Sequence, residues 1–116
     1  MERLKETSRL FLTDAEKDLM NKKYATCIVH LHMAAEHMLK AYLLKLGEEI
    51  QFKTLLEVSD RLSTLGIIDK AELKNLSKMN TLRNRIYHEG YLPTGHEASM
   101  ALRNVKKVIT KLLNKL

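Results

Sequence analysis

Arg83 and His88 are the pair of residues in this chain best suited to phosphoryl chemistry. A guanidinium can bind a phosphate diester oxygen bidentately and stabilise charge developing on phosphorus. Histidine titrates near neutrality, so His88 could act as general base on a ribose 2′-hydroxyl or as acid toward the leaving oxygen. Metal-free RNA cleavage needs both proton roles filled. One chain offers one such histidine here, and a two-fold dimer would supply the second. On a helical wheel Arg83 falls in the middle of the apolar face of its own helix, with Asn80, Asn84 and Tyr87 on the same side. A guanidinium there is costly unless it meets anionic partners or a wet cleft. Five residues along an ideal helix turn about 140° away from the starting face. His88 therefore meets Arg83 only if the last turn loosens before Gly90. The alternative is structural: Arg83 pairs with an acidic residue of a neighbouring helix, and His88 caps its own.

Other clusters offer less. His30, His32, Glu36 and His37 lie close in sequence, and His32 with Glu36 has the i,i+4 spacing of a metal pair. They do not converge on one ion from a single helix, so no metal site is expected. They edge the core, or Glu36 supplies an acidic group near Arg83. Cys27 sits in an apolar arc without an activating base and reads as a core residue. Arg103, Lys107, Lys111 and Lys115 recur every four residues, and Lys70, Lys74 and Lys78 form a second row. Such rows can track a nucleic-acid backbone, although a solvated outer face is the simpler account. No aromatics interleave with them to stack bases. Neither a phosphate-binding glycine loop nor a nucleophile elbow is present, so no cofactor is implied.

The elements that must position these residues are helices. The 116 residues contain no Trp, one Pro and four Gly, with 5% aromatics; this helix-forming composition points to an all-α fold and one domain, residues 1–116. A net charge of +6 favours anionic partners. The single Cys allows no intrachain disulfide, and no secretory pattern opens the sequence, so the chain reads as cytoplasmic. His30, His32, Glu36, His37 and Lys40 interrupt the most apolar segment, and no membrane span is expected.

Periodicity predicts a first helix over Glu2–Lys22, weakened near Thr13 and Asp14, and a second over Tyr24–Leu46, stopped by Gly47. The wide apolar arc of the second, from Tyr24 through Leu44, suits a central helix. After a connection at Glu48–Lys53, a short helix over Thr54–Leu65, with Leu55, Val58, Leu62 and Leu65 in inward register, ends at Gly66. Asp69 is the expected N-cap of the fourth helix, with Glu72 at the capping-box position, and that helix ends near His88. The last begins at Thr94–His96, with Ala98, Ala101, Leu102, Val105, Ile109, Leu112, Leu113 and Leu116 inward. The expected architecture is an antiparallel four-helix bundle with one additional short helix, assembled as a two-fold dimer.

Arg83-Asn84-x-x-x-His88 at the end of the third long helix of a small bundle resembles the signature of HEPN domains. An Arg-Asn followed by His at this spacing arises by chance in about one chain of this composition in eighty. Ala34-Ala35-Glu36, Leu39-Lys40-Ala41 and the Tyr24 entry are similar to the family's second helix. The resemblance implies a dimer whose motif residues meet in an inter-subunit cleft. It also implies a metal-independent endoribonuclease of toxin–antitoxin or defence type, with Arg83 and His88 catalytic and Asn84 positioning them. Asn80, Tyr87 and Tyr91 would bind or position substrate, and Glu36 is a second-helix contributor. The alternative within the family is a non-catalytic module that binds nucleotide or partners a minimal nucleotidyltransferase, the antitoxin of related pairs. This chain departs from one family pattern: the tyrosine expected two residues after the motif histidine stands three residues on, at Tyr91, and Tyr87 precedes His88.

Overall fold

Three helices begin on the same device. Thr54, Asp69 and Thr94 each accept the backbone N–H of a glutamate three residues on, and that glutamate's carboxylate accepts the N–H of the capping residue. For Asp69 and Glu72 the two bonds are 2.7 and 2.9 Å. Each cap contributes about 1 kcal/mol and, more usefully here, fixes the residue at which a helix starts.

The computed structural model describes residues 1–51 and 53–116; Phe52, in the expected connection Glu48–Lys53, lies outside the described residues. The helices are α1 (Glu2–Met20), α2 (Tyr24–Lys45), α3 (Leu55–Thr64), α4 (Lys70–Glu89) and α5 (Gly95–Lys115), with no strand among the described residues. The all-α expectation holds, and the boundaries fall within two residues of those read from periodicity. The break considered near Thr13 is absent: α1 is continuous, and the Thr13 hydroxyl donates back to the Arg9 carbonyl at 3.0 Å.

α2 touches all four other helices. Ile28, Leu31, Met38, Leu39 and Leu43 are fully buried on it, and Ala34 and Ala35 have no exposed surface. Each large buried side chain contributes about 1.5–3 kcal/mol, against at most about 1 kcal/mol for a surface ion pair. The packing of α2 therefore holds the fold together. The small Ala34 and Ala35 let α1 approach closely enough for the buried Ser8 hydroxyl to donate to the Ala34 carbonyl at 2.7 Å. Two residues expected inward, Leu44 and Leu65, are exposed, because each lies in or just past the final turn of its helix. Buried Ser59 makes the converse point: its hydroxyl donates to the Leu55 carbonyl at 2.7 Å and so avoids an unsatisfied polar group.

α4 carries Arg83 and His88, the pair singled out from the sequence. Leu76 and Met79 in its middle are fully buried, whereas Leu82 and Ile86 in its last two turns are only half-buried. Gly90 ends it at φ +66°, a left-handed conformation that disfavours side chains with a Cβ. The chain then passes through exposed Leu92 to α5, whose first residue, Gly95, lies against the Tyr24 ring. A Cβ at Gly95 would stand 3.0 Å from that ring, so this approach fixes where the α4–α5 connection meets α2.

Candidate functional site

Arg83 lies where α2, α3 and α4 meet. It lines a cleft of about 420 Å³ together with His32 and Glu36 of α2, Lys53, Thr54, Leu55 and Leu56 at the start of α3, and Asn80 and Asn84 of α4. The guanidinium rests over the Tyr87 ring, 4.3 Å from its centroid. Among the described residues it makes no ion pair. Among the described residues the acidic partner considered from the sequence is thus absent, and Arg83 faces an open cleft. Glu36, the nearest carboxylate in that cleft, is held by Lys40 of its own helix at 3.1 Å.

His32 is the residue that periodicity left at the core edge. It is 6% exposed, and its Nε2 lies 2.9 Å from Asn80 Oδ1. Burial lowers its pKa below the ordinary histidine value; the Arg83 charge adds to that, while the bond to Asn80 and the Glu36 charge oppose it. An amide oxygen can only accept, so Nε2 carries the proton and donates to Asn80. The two N–H groups on the other end of the Asn80 amide are left for a different acceptor.

His88 takes no part in the cleft lining. The last turn does not loosen: α4 remains helical through Glu89, and the Tyr91 N–H bonds to the Arg85 carbonyl at 3.2 Å. His88 is exposed, and helical geometry keeps it about 140° round from Arg83. It does stand one turn beyond Asn84, so the two share a stripe of α4. One chain therefore brings Arg83, Asn80, Asn84 and Glu36 together, with Tyr87 beneath Arg83 and His88 outside.

Tyr91 is on the other flank of α4. Its hydroxyl donates to Glu97 Oε1 at 2.6 Å, and Arg85 lies over its ring at 3.8 Å. The Glu97 bond raises the Tyr91 pKa, and the same bond lowers that of Glu97. Arg85 and Glu97 border a separate cleft of about 310 Å³ between α4 and α5.

The other two α2 histidines turn to separate partners. His30 Nδ1 lies 2.6 Å from Asp18 and the ring stacks on Phe11; His37 Nδ1 lies 2.6 Å from the Met33 carbonyl. Cys27 is fully buried, and burial, with the Asp18 charge adding, pushes its thiol up to about 11, which suits packing rather than nucleophilic attack. One member of the last-helix row is consumed, Lys111 pairing with Glu72 at 2.7 Å, and Lys106 beside that row pairs with Glu16 at 2.8 Å. Sequence reasoning missed His32 and Lys53 as neighbours of Arg83. The His32–Glu36 spacing was a visible signal, but the contact that defines His32 spans 48 positions.

In sequence the chain matches the HEPN domain family over residues 1–116, and it belongs to that family. Its fold is similar to that in the crystal structure of TT1696 from Thermus thermophilus, with a TM-score of 0.84 at 20% identity, covering 99% of this chain and 97% of that one. No curated protein matches the sequence. None of the helices is long and apolar enough to cross a membrane.

Proposed function

We propose that this HEPN protein is a metal-independent endoribonuclease of toxin–antitoxin or defence type, acting in the cytoplasm as a two-fold dimer. The observation that carries the reading is Arg83, a half-buried cation at a cleft, without a protein counter-ion among the described residues. A charge so placed suits an anionic ligand. In this reading Arg83 binds a non-bridging oxygen of the scissile phosphate, and Asn84 orients the same group. His88 removes the 2′-hydroxyl proton; the 2′-oxygen bonds to phosphorus as the P–O5′ bond breaks. The His88 of a second copy gives its proton to the departing 5′-oxygen, leaving a 2′,3′-cyclic phosphate and a 5′-hydroxyl.

A second copy is invoked for a physical reason. His88 points away from Arg83 in one chain, and apolar side chains in the last turns of α4 and just beyond it are left partly uncovered: Leu82 and Ile86 are half-buried, while Tyr87 and Leu92 are 57% and 80% exposed. Burying such a patch between two copies would bring two His88 side chains to one substrate. We read the underlying architecture as an antiparallel bundle of α1, α2, α4 and α5, with α3 the additional short helix that closes the cleft.

The test is cleavage of synthetic RNA in excess chelator. Arg83→Ala and His88→Ala should each lower the rate by about 10²–10³-fold, with the dimer intact by analytical ultracentrifugation. Cleavage that survives both changes, or that requires a metal, removes the proposal. The second reading is a non-catalytic module that binds nucleotide or a nucleotidyltransferase-type antitoxin. It is favoured by the cleft, whose volume lies in the ordinary range for small ligands. Nucleotide or antitoxin binding that depends on Arg83, with no RNA loss at high protein concentration, would establish it.

A further inference from the structure

We infer that the cleft beside Arg83 is a phosphate seat built from three helices, in which His32 is a positioning residue for Asn80 and Lys53 is a binding residue. The inference deepens the reading proposed above and rests on it for the identity of the ligand, a phosphodiester group of an RNA strand.

The argument begins with the Asn80 amide, which has an acceptor end and a donor end. His32 is buried, is kept neutral by that burial and by Arg83, and commits its Nε2–H to the acceptor end at 2.9 Å. The donor end therefore points elsewhere than the His32 ring, on a side chain that lines the same cleft as Arg83. A fixed N–H pair beside a guanidinium is a donor set for an anion rather than for a base or a cation. A buried histidine with the opposite tautomer would have turned the amide oxygen outward and repelled the same ligand.

The opposite wall agrees in sign. Lys53 lines the cleft next to the amino terminus of α3, where helix geometry leaves N–H groups without partners inside the helix. Thr54 and Glu57 satisfy each other's backbone N–H groups, so the amides of Leu55 and Leu56 are the ones without a partner inside α3. The one opposing charge, Glu36, is held by Lys40. The lining thus keeps a positive balance around a space large enough for a phosphate and its flanking sugar.

The probe is a 2′-O-methyl RNA oligomer, which cannot be cut through its 2′-oxygen, followed by fluorescence anisotropy at several salt concentrations. His32→Leu should weaken binding about tenfold to a hundredfold, the scale of a lost hydrogen bond to a charged group. His32→Gln, whose amide N–H stands in for Nε2–H, should restore affinity to within about threefold of wild type. Asn80→Asp keeps an acceptor for His32 while replacing the donors with a negative charge, and should abolish binding without unfolding. Lys53→Met should lower affinity and reduce the slope of log affinity against log salt by about one. Unchanged binding by His32→Leu or Asn80→Asp, or failure of a folded His32→Gln to rescue, overturns the inference, as does wild-type protein that does not bind the oligomer. Loss of RNA cleavage in Arg83→Ala with no anisotropy change in His32→Leu would sink the seat and spare the ribonuclease reading. Oligomer binding that follows all four variants, in a protein that cuts no RNA, would sink the ribonuclease reading and spare the seat.

Discussion

Arg83→Gln separates a functional arginine from a structural one, because the two readings differ in stability by more than the error of the measurement. The guanidinium makes one specific contact, the stacking over Tyr87 at 4.3 Å, and that ring is 57% exposed. Cation–π contacts at exposed sites contribute about 0.5–1 kcal/mol. No ion pair is broken among the described residues, so no carboxylate is stranded by the change. The expected loss of stability is therefore about 1 kcal/mol, a fall in Tm of roughly 4 °C for a chain of this size. Had Arg83 been half of a buried pair, its removal would cost about 3–5 kcal/mol. Activity should respond in the opposite proportion: losing a transition-state charge donor lowers the rate by about 10²–10³-fold. Urea unfolding followed by far-UV circular dichroism gives the first quantity, and single-turnover RNA cleavage gives the second. A loss of about 3 kcal/mol or more, or cleavage within about threefold of wild type, would refute the reasoning.

Two further changes test the supports of the site. Gly90→Ala places a Cβ in open space but in a left-handed conformation at φ +66°; it should destabilise by about 1–2 kcal/mol, with Gly90→Asn less affected, and equal Tm values for all three proteins would count against the assigned cap. For His32, the native pKa lies below the ordinary 6.5, so under acidic conditions the unfolded chain takes up a proton that the native state resists. Stability should then fall as pH drops from about 6.5 toward the lowered native value, by at most about 1.4 kcal/mol per pH unit, with no contribution above that range. Urea unfolding of wild type and His32→Gln at about pH 7.5, 6.5 and 5.5 should give diverging curves, the wild type losing more; parallel curves would show that His32 is not held neutral.

The helices were legible because their signals are local. The Asp69–Glu72 box, the stops at Gly47, Gly66 and Gly90, and the 3.6-residue periodicity of α2 and α5 each lie within a few residues of the feature they specify. Leu44 and Leu65 were misjudged for the same reason: periodicity tells which face a residue shares, but not whether a neighbour covers that face at the helix end. The site was legible where it lies along α4. Arg83, Asn80 and Asn84 do share a cleft. Tyr91 was grouped with them by proximity in sequence, yet two features of the fold separate it: the contact it makes with Arg85, and the Glu97 carboxylate offered by the capping box of α5.

His32 shows why the remainder was hidden. Alone, a histidine on an apolar arc is an ordinary core-edge residue, and its i,i+4 glutamate suggested metal chemistry. Its role follows from Asn80, which comes from a helix begun by an unrelated cap at Asp69, far along the chain. Only the register between α2 and α4 decides whether His32 faces Asn80, Met79 or Arg83, and register is set by the summed packing of Leu31, Met38, Leu76 and Met79 rather than by any motif. The same dependence links core to chemistry. A change in that core, remote from the cleft, that shifts α4 by a fraction of an ångström would lengthen the 2.9 Å bond and release the Asn80 amide to rotate, exchanging donor for acceptor at the cleft. Substrate affinity in this protein should therefore be sensitive to core substitutions between α2 and α4 that leave the helical content unchanged.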